Sequence, residues 1–503
     1  MLRKYTIPLS LSIALLTGCG TASIPVAKDA GIVSIYPFAQ EIDKFEDMSL
    51  RVRDAKGTHD VELYSVSTNP KRQYPVEPRL FKNAAVAMFD MSGAVTLEVT
   101  YPTGISSVVV RPARAAIEHT VKGNTVFFQI KEWGQYTVEF NDDPETNALL
   151  IFANPPAVIP ENARVIEGYH REHLVIAEGE TVYMAPGSVL RGKVIMRDNS
   201  KLMGRGIILK SGPPSLQVWY CDNVTIEGVA VFEPSNWVLE LRDSSNISIE
   251  NIKIVSSRNN GDGVTIQSSN DIKINKSFVR TWDDNVVLKN YTERSCFNIA
   301  VTNCVMWTDL AQTLEIGFET NKGAPGQGGR SPSANPDPRI NDIIFENIDI
   351  LHNFHKAPIS IHNADGCRVY NIIFRNVILE NAQMGVPGNF GEGGGWPYLI
   401  DFGNGSSAQM GGAPDWTHND GYREIKDVLV ENVWVLGGEL SSCGARFVNI
   451  NSGDYESVME NIQLRNIYFK QEPIDYTDEI EAGAVTGMVI QENAVYFHWD
   501  DLP

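Results

Sequence analysis

Between residues 30 and 160, apolar and polar positions alternate in short runs closed by turn residues, such as Val95-Leu97-Val99-Tyr101, Val126-Phe128-Ile130 and Tyr136-Val138-Phe140. A period of two places every second side chain on one face of an extended strand, so these runs predict strands with one buried face. No helical pattern interrupts them, and an antiparallel β-sandwich over 30–160 is the economical arrangement. The segment from Asn154-Pro155-Pro156 to Pro160 reads as its exit.

After Gly179 the pattern becomes a repeat in which Asn or Asp precedes alternating aliphatic positions. It occurs as Asn223-Val224-Thr225-Ile226, Asn246-Ile247-Ser248-Ile249, Asp271-Ile272-Lys273-Ile274 and Asn298-Ile299-Ala300-Val301, and returns at Asp342, Asn371, Asp427 and Asn461. The intervals are 23, 25, 27, 44, 29, 56 and 34 residues. Short strands and Asn-rich bends near a period of 25 suit a coiled solenoid in which each turn adds a strand to parallel sheets. A leucine-rich repeat would need recurrent Leu and helical segments, which are missing. Asn at the bends tolerates left-handed backbone and can hydrogen-bond up the stack. The expected fold is therefore all-β: a right-handed parallel β-helix over 161–503 preceded by the sandwich. Two Gly- and Pro-rich insertions, Lys322 to Pro338 and Met384 to Tyr422, interrupt the rhythm; the second carries Trp396, Trp416 and His418 and is expected to wall a functional groove.

Composition narrows the functional classes. The chain is 43% hydrophobic and 21% charged, as in globular proteins. A net charge of -20 with no Lys/Arg cluster argues against a nucleic-acid partner. Residues 1–19 combine Arg3 and Lys4, an apolar run from Ile7 to Leu16, and Leu16-Thr17-Gly18-Cys19, the pattern of an export signal. The segment is similar to a bacterial lipoprotein signal, which implies lipidation at Cys19, attachment to a bacterial membrane (the outer one by expectation) only through that anchor, and exposure of the protein on its periplasmic or outer side. The other five cysteines, Cys221, Cys296, Cys304, Cys367 and Cys443, are odd in number and are expected as buried small hydrophobes and not as a disulfide framework.

The candidate chemistry lies in Asn259-Asn260-Gly261-Asp262-Gly263 and Trp282-Asp283-Asp284-Asn285-Val286-Val287-Leu288-Lys289. Asp262 precedes Asp283 and Asp284 by 21 and 22 residues, about one coil. Residues one coil apart stack at about 4.8 Å, so three carboxylates converge on one patch of the sheet. Three readings of that patch remain open: solenoid turns that share this composition, a calcium site, and paired acids and bases for hydrolysis. In the last, mutual repulsion raises at least one pKa and leaves a protonated acid beside ionised bases, with no cofactor or metal required.

These motifs resemble glycoside hydrolase family 28, the polygalacturonase group, and its clan relative family 49, the dextranase and isopullulanase group, over roughly residues 180–380. The resemblance rests on Ser235-Asn236-Trp237, Asn260-Gly261-Asp262-Gly263, the block Asp283-Asp284-Asn285-Val286-Val287-Leu288-Lys289, and Leu314-Glu315-Ile316-Gly317. A sandwich leaving through Asn-Pro-Pro looks more like family 49. The resemblance implies an inverting glycoside hydrolase with Asp283 as general acid and Asp262 with Asp284 activating water, typically across about 6.5–9.5 Å. Two departures stand out: Gln312 replaces the histidine of the family's Gly-His-Gly, and Ser360-Ile361-His362 replaces its Arg-Ile-Lys, which grips a uronate carboxylate. A neutral or otherwise modified saccharide is the expected substrate. Trp237 and Trp282 are candidate sugar platforms, as is Trp307, and Lys289, Gln312, Glu315 and His362 are candidate cleft residues, with His352 and His355 further possibilities. Two other classes compete: a β-helix polysaccharide lyase or epimerase, and a non-catalytic glycan-binding surface protein.

Overall fold

The computed structural model describes residues 31–69, 81–321, 335–384, 396–410, 421–450, 456–474, 476 and 489–491. Cys19, most of the two insertions, Trp416 and His418 lie outside the described residues.

Residues 32–154 form two facing sheets. One contains Ile32–Ile35, Tyr64–Thr68, Lys82–Ser92, Ala148–Asn154, Gly134–Phe140 and Val108–Arg111; the other contains Thr58–Val61, Ser49–Arg53, Val95–Thr100, Thr125–Ile130 and His119–Lys122. Leu50, Val52, Leu97, Val99, Val126 and Phe128 from the second sheet meet Phe89, Val138, Phe140, Leu149 and Ile151 from the first. The expected antiparallel pairing holds except between Lys82–Ser92 and Ala148–Asn154, which run parallel. These two strands are buried at nearly every position, unlike the half-buried strands that alternation predicts. The reason is their second face, which lies against the rest of the protein.

That second face packs on a parallel β-helix. Tyr64, Val66, Val86, Met88, Leu150 and Phe152 interdigitate with Ile207, Leu209, Phe232, Phe278, Trp307 and Leu351 of the solenoid. Charged groups are matched across the junction: Arg205 with Asp90 at 2.9 Å, Arg114 with Asp349 at 2.9 Å, and Arg111 with Glu380 at 2.6 Å, Arg111 being held also by Glu139 of its own sheet at 3.0 Å. Trp307 is fully buried here, and His352 packs against it, tilted, with ring centres 4.2 Å apart, while bonding Glu139. Both are packing residues of the junction and not groove residues.

The solenoid stacks three parallel faces. The third, which matters for chemistry, has ten strands from Leu174–Val175 through Val264–Gln267, Val286–Lys289, Leu314–Phe318, Ile359–Asn363 and Tyr398–Asn404 to Gly444–Asn449. Aliphatic residues in register, including Val264, Val286, Leu314, Ile359 and Ile400, fill the interior. The five cysteines are free and buried, and Cys221, Cys296, Cys304, Cys367 and Cys443 behave as small apolar residues. Every motif Asn or Asp, from Asn223 (φ 60) and Asn246 (φ 56) to Asn461 (φ 53), adopts the left-handed conformation. A second Asn five residues later does the same at Asn251, Asn303, Asn347, Asn376, Asn432 and Asn466. Their side chains form ladders, as in Asn376 Nδ2 to Asn347 Oδ1 at 3.1 Å and Asn432 Nδ2 to Asn376 Oδ1 at 3.0 Å.

Candidate active site

The site forms where three consecutive coils enter the third face. Backbone bonds Gly263 N–H to Asp284 O at 2.8 Å and Asn285 N–H to Gln312 O at 2.9 Å align Asp262, Asp284 and Gln312 at equivalent positions, each two residues before its strand. Gly263 permits this close approach, since a Cβ there would lie 2.6 Å from the Asn285 carbonyl oxygen. Asn285 anchors the acidic turn from below by donating to Thr281 Oγ1 at 2.6 Å and the Trp307 carbonyl at 3.0 Å. With Val264, Ile266, Val286 and Leu288 in the core, Thr265, Lys289 and Glu315 occupy the opposite, outer face.

Each aspartate has a different set of partners. Asp262 receives Thr265 Oγ1 and Lys289 Nζ, both at 3.4 Å. Asp283 accepts the Asn260 N–H at 2.7 Å and the Asp284 N–H at 3.2 Å. Asp284 accepts the Gln312 N–H at 3.1 Å. Burial raises the pKa of all three, and mutual repulsion adds to it for Asp283, pushed up to about 7 by burial and then by Asp262, and for Asp284, raised well above the usual range. A tightly coupled set of this kind shares its protons, and at least one of its members stays protonated near neutrality.

Lys289 sits beneath this set. Its Nζ is 3.4 Å from Asp262 and 3.4 Å from Glu319, and lies 5.2 Å from the centre of the half-buried Trp237 ring. Burial lowers its pKa, but the carboxylates of Glu319 and Asp262 outweigh that and hold it cationic. Trp282 is buried beside the acid pair, its carbonyl accepting the Ala311 N–H at 3.1 Å.

Glu315 and His362 stand one and two coils further along the face and are enclosed. His362 Nδ1 meets Glu315 at 2.8 Å, its Nε2 meets Asp401 at 3.2 Å, and its ring stacks on Phe318 at 4.3 Å. Burial opposes the charged imidazole, yet Glu315 and Asp401 raise its pKa to about 9. Arg446 closes the series with two bonds of 2.7 Å to Asp401. Lys356, its pKa lowered to about 8 chiefly by burial, lies over Trp396 at 4.7 Å, with Arg446 at 4.8 Å from the same ring.

Sequence reasoning missed Glu319, Lys356, Asp401 and Arg446. Asp401 and Arg446 are in direct register with Ser360. Asp401 is on the strand Tyr398–Asn404, inside the segment that the sequence presents as the second insertion, and Arg446 is one coil beyond it, so the 56-residue interval between Asn371 and Asp427 hid the register. Among the described residues no group of His, Cys, Asp and Glu has the arrangement of a metal site.

Residues 179–323 match the family model described as Glycosyl hydrolases family 28, a segment that includes Asp262, Asp283, Asp284 and Lys289. Dex49A from Penicillium minioluteum is similar in structure, with a TM-score of 0.54 at 13% identity over 91% of this chain and 96% of that one. A family 28 exopolygalacturonase of Yersinia enterocolitica aligns with a TM-score of 0.41 at 10% identity, over 79% of this chain and 96% of that one. No curated protein matches the sequence. The family match supports glycosidase activity, and the likeness to Dex49A shows the β-helix fold.

Proposed function

We propose that the protein hydrolyses a glycosidic bond of an oligo- or polysaccharide by single displacement with inversion. Asp283 protonates the leaving oxygen while Asp262 and Asp284 orient and deprotonate the attacking water. The observation that carries this reading is the convergence of three carboxylates at the start of the outer face, where burial and mutual repulsion keep at least one of them protonated at neutral pH beside an ionised partner. Ser360 and an enclosed His362 stand where a uronate-gripping Arg and Lys are expected from the resemblance, which favours a substrate other than that of an ordinary polygalacturonase. Digestion of a glycan panel, with the anomer of the first product followed by NMR, tests the proposal. An inverted reducing end is expected; a retained anomer overturns the mechanism, an unsaturated product indicates a lyase, and binding without product indicates a glycan-binding protein.

The Leu16-Thr17-Gly18-Cys19 segment supports export and lipid anchoring to a bacterial membrane. Metabolic labelling with a radioactive fatty acid should mark the wild type and not a Cys19→Ala variant; equal labelling would refute lipidation at this residue.

A further inference from the structure

The three aspartates are chemically alike but not equally placed with respect to positive charge. Among the described residues only Asp262 has a cation within ion-pair range, Lys289 at 3.4 Å, whereas Asp283 and Asp284 are met by backbone N–H groups. Lys289 is shared: its Nζ is also 3.4 Å from Glu319, and Glu319 is in turn hydrogen-bonded by Tyr291. The ammonium has little room to reach a sugar, because its side chain is 8% exposed and Trp237 lies over it. The charged and titratable groups around Asp262 are Asp283 and Asp284 on the next coil, Lys289 and Tyr291 at the end of the following strand, and Glu319 beyond Leu314–Phe318. Glu240 on the preceding coil also acts on Lys289.

We propose that Lys289 is a positioning residue that fixes the negative charge on Asp262, so that the proton shared by the three aspartates resides on the Asp283–Asp284 pair, with Glu319 setting how much of the Lys289 charge reaches Asp262. An ion pair at one member of a coupled carboxylate set favours ionisation there and leaves the proton to the others. Lys289 thereby assigns base and acid without touching the substrate. This inference rests on the acid–base reading of the aspartates given above.

The test reads the ionisation directly. Carboxyl ¹³C NMR titration of aspartate-labelled protein, with Asp262→Asn identifying the Asp262 signal, is run on the wild type, Lys289→Met, Lys289→Arg and Glu319→Gln. The Asp262 midpoint should rise at least tenfold in proton affinity in Lys289→Met, return towards the wild-type value in Lys289→Arg, and fall in Glu319→Gln. The acid limb of the kcat/KM profile should move in the same directions. An unchanged Asp262 midpoint in Lys289→Met overturns the proposal, as does an upward shift in Glu319→Gln, which decides the matter if Lys289→Met fails to fold. Uniform loss of kcat with fixed midpoints would mark Lys289 as structural. A wild type that cleaves no glycan would refute the hydrolase reading while the NMR midpoints still judge Lys289.

Discussion

Asp283 is costly to the fold for the same reason that it suits the general-acid role proposed for it. Its raised pKa means that the folded state holds a proton that the unfolded chain releases at ordinary carboxylate pH. The resulting stabilisation is complete below the unfolded pKa and is lost as pH rises through about 7. Asp283→Asn should therefore melt higher than the wild type at pH 8, by a few degrees on the order expected of functional-site neutralisation, and show little difference at pH 4. Scanning calorimetry at the two pH values checks this. The same variant should lose about 10²–10⁴-fold in kcat, the usual worth of a general acid, while retaining oligosaccharide affinity by calorimetric titration. In the wild type, activity should decline as pH rises through about 7, where the acid loses its proton. The meeting of this residue with Asp262 was legible in the sequence, because the adjacent acids and the one-coil spacing survive as a pattern. It could not reveal the enclosure of Glu315 and His362 or the closeness of Glu319 to Lys289, since those depend on which side chains cover which.

The bends of the solenoid were equally legible, and for a simple reason: left-handed backbone selects Asn and Asp over other L-residues. The ladders add a second reason, as each amide bridges to the coil below. At Asn376 both effects coincide, with φ of 57° and bonds to Asn347 and from Asn432. Asn376→Ala should cost about 1–2 kcal/mol through left-handed strain and the broken ladder, and Asn376→Gly roughly half of that because glycine removes the strain. Urea denaturation of the two variants measures the difference; equal losses would assign the whole effect to the side-chain ladder. The motif was legible past residue 380 at Asp427 and Asn461, but the third face was not, because its strand Tyr398–Asn404 lies inside the segment that the sequence presents as an insertion. Asp401 and Arg446 therefore had no visible phase relative to Ser360.

At the level of the assembled chain, alternation correctly predicted strands between residues 30 and 160 but not what their outer face would do. The sheet containing Lys82–Ser92 is apolar on both sides because it is a middle layer, a state that sequence reads as an undivided hydrophobic run. Ion pairs across this junction are well shielded. Arg111→Met would leave Glu139 and Glu380 without their shared guanidinium, and a destabilisation of about 3–5 kcal/mol is expected when a buried pair loses one partner. A drop in thermal midpoint larger than that of the exposed control Arg164→Met, which breaks the surface pair with Glu180 and one bond to the Val175 carbonyl, would bear this out. An equal drop in both would show the junction to be loosely held.

The double-sided burial of that sheet also determines what kind of machine this can be. A domain on a flexible stalk can swing against its neighbour, whereas this sandwich is keyed into the solenoid by Phe152, Phe278 and Trp307. Hinge motion about the Pro155-Pro156 exit would have to unzip an apolar seam, so the two layers move as one. Exchange of the front half between related enzymes should consequently fail unless the seam is transplanted with it.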